Sequence, residues 1–295
     1  MANTVDLTGM GEYIRQNSDQ LFVKSTVGAK TLDYVDLMLN VKHKDALNYL
    51  DSTIILDGAA CGWNPQGSDV FSQRYIEVHP VEVSKEFCYY DFQNYVVNEQ
   101  MKFAAGRETL GSWEEKIADS NVEAVKAAVE DMLWQGNSGA SVTGFLADAA
   151  EASAATVSFA TGDTAVAKID AVVAALTARM LKKGVNIFVS ATDFRNYVLE
   201  SNGTCCAQRP LLDAAAESIT YAGDSRVKII PVLGLEGTGK IVAATADALV
   251  YGTDVEGSET IYRWFFDEKE NKFLFHILFN AGTAIRFPDE VIVGE

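Results

Sequence analysis

Residues 112–136, SWEEKIADSNVEAVKAAVEDMLWQG, read as one long amphipathic helix, and little else in the chain is so tightly determined. Trp113, Ile117, Val122, Val125, Val129, Met132 and Leu133 recur mostly at spacings of three to five, which places them on one stripe. Glu114, Glu115, Lys116, Asp119, Glu123, Lys126, Glu130 and Asp131 fall mostly on the opposite side. Ser112 and Glu115 form an S-x-x-E capping box, and Gly136 stands where a left-handed C-cap favours glycine. The expectation is a helix over residues 113–135 of about six turns, buried along one face. Such an element is a spine to pack against, not a reactive site.

The totals narrow the classes. The chain has 295 residues, 48% of them hydrophobic and 22% charged, so it can bury a substantial core and is not a disordered segment. No apolar run reaches the ~20 residues of a membrane span, and MANTVDLTGMGEY lacks the basic and apolar regions of a signal peptide, so a cytosolic protein is expected. A formal charge of −17 without a basic cluster argues against tight binding to nucleic acid. It fits a soluble surface, or one that sits near DNA without adhering to it. Cys61, Cys88, Cys205 and Cys206 make no C-x-x-C, and His43, His79 and His276 are scattered, so reduced thiols and no metal centre are expected.

In chain order, residues 1–50 read as an arm. A helix over 12–24 is followed by short segments without a sustained period, which must lie against another surface, a neighbouring subunit included. A strand at 53–56, a Gly/Pro/Asn-rich tip and an extended run over 70–87 read as a long hairpin. Trp63 at that tip has little of its own chain to pack on, so it is a candidate intermolecular contact, with folding back into the core as the alternative. Phe71, Arg74 and Tyr75 on the second strand join it as candidate contact residues. A shorter helix spans 91–103, and the Gly/Ser-rich stretch after Gly136 marks a domain boundary. A second long helix over 163–183, a buried strand at 185–190, a helix from Thr192 to about Ser201, and strands at 227–232, 240–244 and 248–251 make an α+β module. The end is all strand: 260–266 and 273–279 around a charged turn, then 283–287 and 291–293.

Motifs for chemistry are sparse. Residues 234–240, GLEGTGK, fit G-x-x-x-x-G-K, but Ile241 stands where a phosphate-binding loop needs Ser or Thr, and strand signals follow instead of a helix. A strand-to-strand turn is the better reading. No H-E-x-x-H, G-x-S-x-G or G-x-G-x-x-G occurs, no carboxylate pair stands out, and His276 in an apolar strand reads as a satisfied core or interface histidine. No catalytic, cofactor-binding or metal-binding residue is expected.

The order of parts resembles one family, the major capsid proteins of tailed bacteriophages, whose fold is shared with encapsulins. Local sequence agrees: EDMLWQGN with Gly144-Phe145-Leu146 is similar to the family's exit from the spine helix. VNIFVS with Asp193-Phe194 is similar to its buried axial strand, and residues 281–293 to its closing strands. The resemblance implies an α+β fold with an N-terminal arm (1–50), an extended hairpin (51–87), a peripheral domain (88–155 and 255–281) carrying the spine helix, an axial domain (156–254) and closing strands (282–295). It implies a structural, non-enzymatic subunit of an icosahedral head, made in the host cytoplasm and assembled as hexamers and pentamers around weakly contacted double-stranded DNA. Portal and decoration proteins would be partners.

Two departures accompany the resemblance. Some relatives join neighbours through a hairpin lysine, but no lysine lies between Lys44 and Lys85, so no such cross-link is expected. No long scaffold segment precedes the arm, which implies a separate scaffolding protein or a removed leader. An encapsulin-type compartment is the alternative within the fold, and a nucleotide-binding enzyme using residues 234–240 is the alternative outside it.

Overall fold

The computed structural model describes residues 30–56, 58, 67–88, 124–125, 127–203, 218–254, 263–267 and 272–295. The expected helices over 12–24 and 91–103, the Ser112 cap, Trp63, Cys61, Cys205 and Cys206 lie outside these residues.

The end of the spine is helical at 124–125 and 127–135; the latter stretch is α1, and the short helix Phe145–Glu151 that follows is α2. α1 ends where the sequence requires. Gly136 adopts φ 78°, and its N–H donates to Met132 O at 2.9 Å, a left-handed cap that a side chain would strain. Of the expected stripe, Val125, Val129, Met132 and Leu133 are buried in the core and Trp113, Ile117 and Val122 lie outside the described residues; Trp134 joins the core, and Glu130, expected on the polar side, is buried as well.

Two sheets flank this helix. The first has six strands in the order β5-β13-β9-β6-β8-β7. These are β5 (Ala155–Val157), β6 (Val185–Ser190), β7 (Ile219–Thr220), β8 (Val227–Val232), β9 (Ile241–Ala244) and β13 (Val291–Gly294). Both its faces are covered, which explains a strand such as VNIFVS, in which Ile187, Phe188 and Val189 follow one another and all are buried. Phe188, Ile230 and Val242 pack with Leu133, Trp134 and Phe145. Ile187, Val189 and Ile229 pack on the other side with Ile169, Met180 and Tyr197. Those last residues come from α3 (Ala165–Ala175), α4 (Ala178–Lys183) and α5 (Ala191–Gly203). The single helix expected over 163–183 is therefore two. Leu176 leaves the helical region at ψ 132°, and the Thr177 hydroxyl starts a new helix by accepting from Met180 N at 3.4 Å, as Thr164 does from Ala167 N at 3.2 Å. Apolar spacing runs smoothly through this break, so only the second cap marks it.

The second sheet has five strands. β12 (Lys272–Ile285) is its axis, pairing with β11 (Arg263–Asp267), β10 (Leu249–Gly252) and β4 (His79–Cys88); β1 (Asp36–Met38) adds in parallel to β10. Three sequence expectations change here. β12 is one strand of 14 residues where two were expected, because Gly282 does not interrupt the ladder. Residues 249–252, grouped with the axial strands from sequence, pair with β12 instead, and β13 among the closing residues belongs to the six-stranded sheet. Finally, β4 is part of this sheet and not of the hairpin. The run over 70–87 breaks at Val78, whose N–H donates to His43 O at 2.7 Å.

Candidate assembly surface

The hairpin consists of β2 (Lys44–Ile54) and β3 (Gly67–Glu77), with eleven register pairs from Lys44↔Glu77 to Ile54↔Gly67. Its first strand begins nine residues before the expected Thr53, because KDALNYLDS alternates too weakly to read as a strand. Eleven extended residues span about 35 Å. Only the root has a core: Leu47 and Ile76 are buried with Val41, Val78, Val250 and Ala284. From Leu50 and Phe71 outward every described position is exposed.

Opposed residues of a ladder share a face and successive residues alternate, so the register sorts the side chains. One face carries Leu47, Tyr49, Arg74 and Ile76 and looks toward the chain's own body. Tyr49 meets the Phe287 ring edge-on at 5.8 Å. Arg74 lines a groove of about 510 Å³ with Asp148. The other face carries Leu50 opposite Phe71, Ala46 opposite Tyr75, and Ile54 opposite Gly67. It is turned to solvent: Phe71 is 82% exposed, Ile54 78%, Leu50 53% and Tyr75 52%. The structure thus brings together Phe71 and Tyr75 and adds Leu50 and Ile54. It sets Arg74 on the opposite face, and Trp63 lies outside the described residues. Leu50 falls in residues that read as irregular chain and Ile54 in a strand expected only over 53–56; placing both on the face of Phe71 needs the register.

Polar pairs alternate with these apolar residues on the same face: Lys44↔Glu77, Asn48↔Gln73 and Ser52↔Asp69. Lys44 Nζ and Glu77 Oε1 pair at 2.5 Å at its root, and Lys44 holds the Glu77 carboxyl below its usual range. Ser52 Oγ donates to Asp69 Oδ1 at 2.5 Å near its tip.

The arm is anchored on its own chain over residues 30–38. The 3₁₀ turn Lys30–Tyr34 buries Thr31 against the spine. Thr31 donates through its N–H to Glu130 Oε2 at 3.3 Å and through its hydroxyl to Glu130 Oε1, while Trp134 Nε1 donates to Thr31 Oγ1 at 2.8 Å. Burial raises the Glu130 carboxyl above its usual range, and the bonds from Thr31 oppose that. Asp148 is a second buried carboxyl, accepting from Thr143 Oγ1 at 2.8 Å and Thr283 Oγ1 at 2.6 Å. Burial raises it too, against those two hydroxyls and the Arg74 charge.

The remaining sequence candidates resolve into structural roles. Residues 234–240 join β8 to β9 as a 3₁₀ turn and loop, not a strand-to-helix cradle. The N-terminus of α5 beside them is already occupied. The Glu236 carboxylate accepts from Thr192 N at 3.3 Å and from the Thr192 hydroxyl, and Lys240 Nζ pairs with Glu295 Oε2 at 2.8 Å. His276 is half-buried, with Nε2 3.0 Å from Glu82 Oε1. Among the described residues no cluster of His, Cys, Asp and Glu has the arrangement of a metal site, and no helix is long and apolar enough to cross a membrane.

No protein-family model matches the chain, and no curated protein matches it in sequence. Solved structures match over nearly the whole chain. The capsid of a native GTA particle aligns with a TM-score of 0.57 at 12% identity, covering 90% of this chain and 89% of that one. The procapsid of satellite phage P4 aligns at 0.59 and 9% identity, over 94% and 90%. A virus-like particle from Pyrococcus furiosus aligns at 0.54 and 10% identity, over 93% and 96%. The chain has the α+β fold of tailed-phage capsid subunits.

Proposed function

We propose that this chain is a structural shell subunit, the major capsid protein of a tailed phage, which assembles with copies of itself into a closed icosahedral head around double-stranded DNA. The observation that carries the reading is the hairpin, a two-stranded ribbon whose outer half has no core among the described residues and whose outward face exposes Leu50, Ile54, Phe71 and Tyr75. An isolated two-stranded hairpin is marginal in water, and an exposed face of Leu50, Ile54, Phe71 and Tyr75 gains burial only against another molecule. The fold likeness supports the same reading, since the GTA and P4 structures are those of a capsid and a procapsid. Hexamers and pentamers are the capsomers of such a shell, and the hairpin would lie over a neighbour within or between them. The net charge of −17 keeps contact with enclosed DNA weak. Scaffolding, portal and decoration proteins complete the proposed set of partners, and the chain itself carries no enzymatic step.

The test is electron microscopy with light scattering on the purified chain, alone and with a scaffolding protein from the same genome. Shells, tubes or capsomer rings support the reading. Nuclease-protected DNA inside native particles supports a phage head, and an enclosed enzyme would identify an encapsulin-type compartment instead. A chain that stays monomeric under all these conditions and binds nucleotide, with binding lost in Lys240→Ala, overturns it.

A further inference from the structure

We propose that Tyr49 is the positioning residue of the ribbon: its contact with Phe287 sets the angle at which the outward face leaves the chain's body, and so the place where that face meets a second copy of this chain. The inference rests on the shell reading above.

The ribbon is held to its own chain in two ways. At the root, Leu47 and Ile76 are buried with Val250 and Ala284, and a Cβ on Gly282 would fall 2.1 Å from the Glu77 carbonyl oxygen, so the ribbon starts close over the face of β12. These contacts fix where it begins. One step out, the two strands differ. Along β3, residues 73–75 line the groove of about 510 Å³ and stand away from the body, with Asp148 on its far wall. Along β2, Tyr49 closes the gap, its ring meeting Phe287 at 5.8 Å and 75°. Beyond the Tyr49↔Ser72 pair, five more pairs reach to Ile54↔Gly67, and every residue in them is exposed. Tyr49 is thus the outermost prop of the ribbon among the described residues.

The prop rests on a fixed seat. Lys183, the last residue of α4, places Nζ 5.1 Å from the centre of the Phe287 ring. The same ammonium donates to the buried Glu290 carboxylate at 2.8 Å, which also accepts from Thr245 Oγ1 at 2.7 Å. Phe287 is held by its own turn as well, since its carbonyl accepts from Glu290 N at 3.1 Å. An edge-to-face aromatic pair is directional, because a positive ring edge meets a negative ring face, so it fixes an angle as well as a distance. Leverage makes that angle matter. The strand from Lys44 to Ile54 is about 33 Å long, and a tilt of about 10° about the root would move Ile54 by about 6 Å, beyond the ~4 Å reach of an apolar contact. Leu50, Phe71 and Ile54, three of the four exposed side chains that need a neighbour, all lie farther out than Tyr49.

Hydrogen exchange on unassembled subunits reads the prop, and electron microscopy on particles reads its consequence. An undocked two-stranded ribbon is marginal in water, so amides within 45–51 and 70–76 exchange through that state. Tyr49→Ala should speed them about five- to tenfold, the loss of one aromatic pair, while Tyr49→Phe should exchange as the parent does. Phe287→Leu should act like Tyr49→Ala, and the double variant should be no faster than either alone, because the two rings act as one contact. In particles, Tyr49→Ala should broaden the shell diameters or give open sheets and tubes, and Tyr49→Phe should keep the parent's distribution. Unchanged exchange in Tyr49→Ala, or effects of the two substitutions that multiply, overturns this contact as the prop whatever the chain assembles into. Faster exchange with shells of unchanged size overturns its role in placing the neighbour and leaves the shell reading standing. A chain that forms no particles at all removes the shell reading and this role with it.

Discussion

Phe71→Ala separates the stability of the subunit from the stability of the assembly. Phe71 sits 82% exposed on the outward hairpin face, opposite Leu50, with no place in any buried core cluster. Removing its ring from a free subunit should therefore change unfolding free energy by no more than about 0.5 kcal/mol, the usual range for an exposed site. On the proposed reading, the ring is buried against a neighbour in the shell. Burying a phenylalanine side chain contributes about 1.5–3 kcal/mol, so its loss should weaken each hairpin contact by about 2 kcal/mol, about thirtyfold in association constant. Each subunit presents one such hairpin, so the concentration at which particles appear should rise by a similar factor. Light scattering across a dilution series reads that threshold, and differential scanning calorimetry on subunits below it reads the fold. An unchanged threshold would refute the assignment of this face. A fall of several degrees in the subunit's own melting temperature would show that Phe71 is packed within its own chain.

Three other outcomes follow from the same contacts. Trp134→Ala removes a fully buried ring that lies 5.0 Å from Phe188 and 5.5 Å from Phe145, and it should cost about 3–5 kcal/mol in urea unfolding of the subunit. Glu130 and Asp148 both have carboxyls raised by burial, so the folded state holds their protons more tightly than the unfolded chain does. That contribution is complete below the ordinary carboxylate range and is lost as pH rises through the raised values. The wild type should accordingly lose stability relative to a Glu130→Gln/Asp148→Asn variant as pH rises from about 4 toward 7, in denaturant titrations at stepped pH; a difference that stays flat across that range would contradict the sign. Intact-mass analysis of denatured particles should give one subunit mass and no ladder, because the hairpin carries no lysine between Lys44 and Lys85.

The residues that could be read in advance are those whose own periodicity and caps decide the matter. β6 was legible to the residue because Val185, Ile187, Phe188 and Val189 dominate VNIFVS and it follows Gly184, and the spine's exit was legible because Gly136 is both the last turn's cap and the start of a polar loop. Boundaries failed where burial comes from a partner strand. The sequence KDALNYLDSTI contains Asp45, Asn48, Asp51 and Ser52, none of which advertises a strand, and it becomes one because β3 pairs with all eleven positions. The split near Leu176 was hidden for a different reason. Ala165–Ala175 and Ala178–Lys183 keep the same buried stripe, so the break leaves hydrophobic spacing intact and shows only in Thr177 acting as a second cap.

The contact surface shows the same limit at finer scale. Phe71, Arg74 and Tyr75 are neighbours in sequence and were grouped for that reason, yet a strand has a period of two. Positions 71 and 75 share a face, and position 74 takes the other. Composition therefore identified the ribbon as an exposed one, but only the pairing of Leu47 with Arg74 and Leu50 with Phe71 fixed which side turns inward. That distinction changes what substitutions do. Arg74 acts through Asp148 and the groove, so Arg74→Ala should lower the stability of the free subunit, while Phe71→Ala should not. On the proposed reading, a ribbon with one face serving its own fold and with Leu50, Ile54, Phe71 and Tyr75 exposed on the other is half of an interface, and those four side chains are covered only when another subunit lies over them.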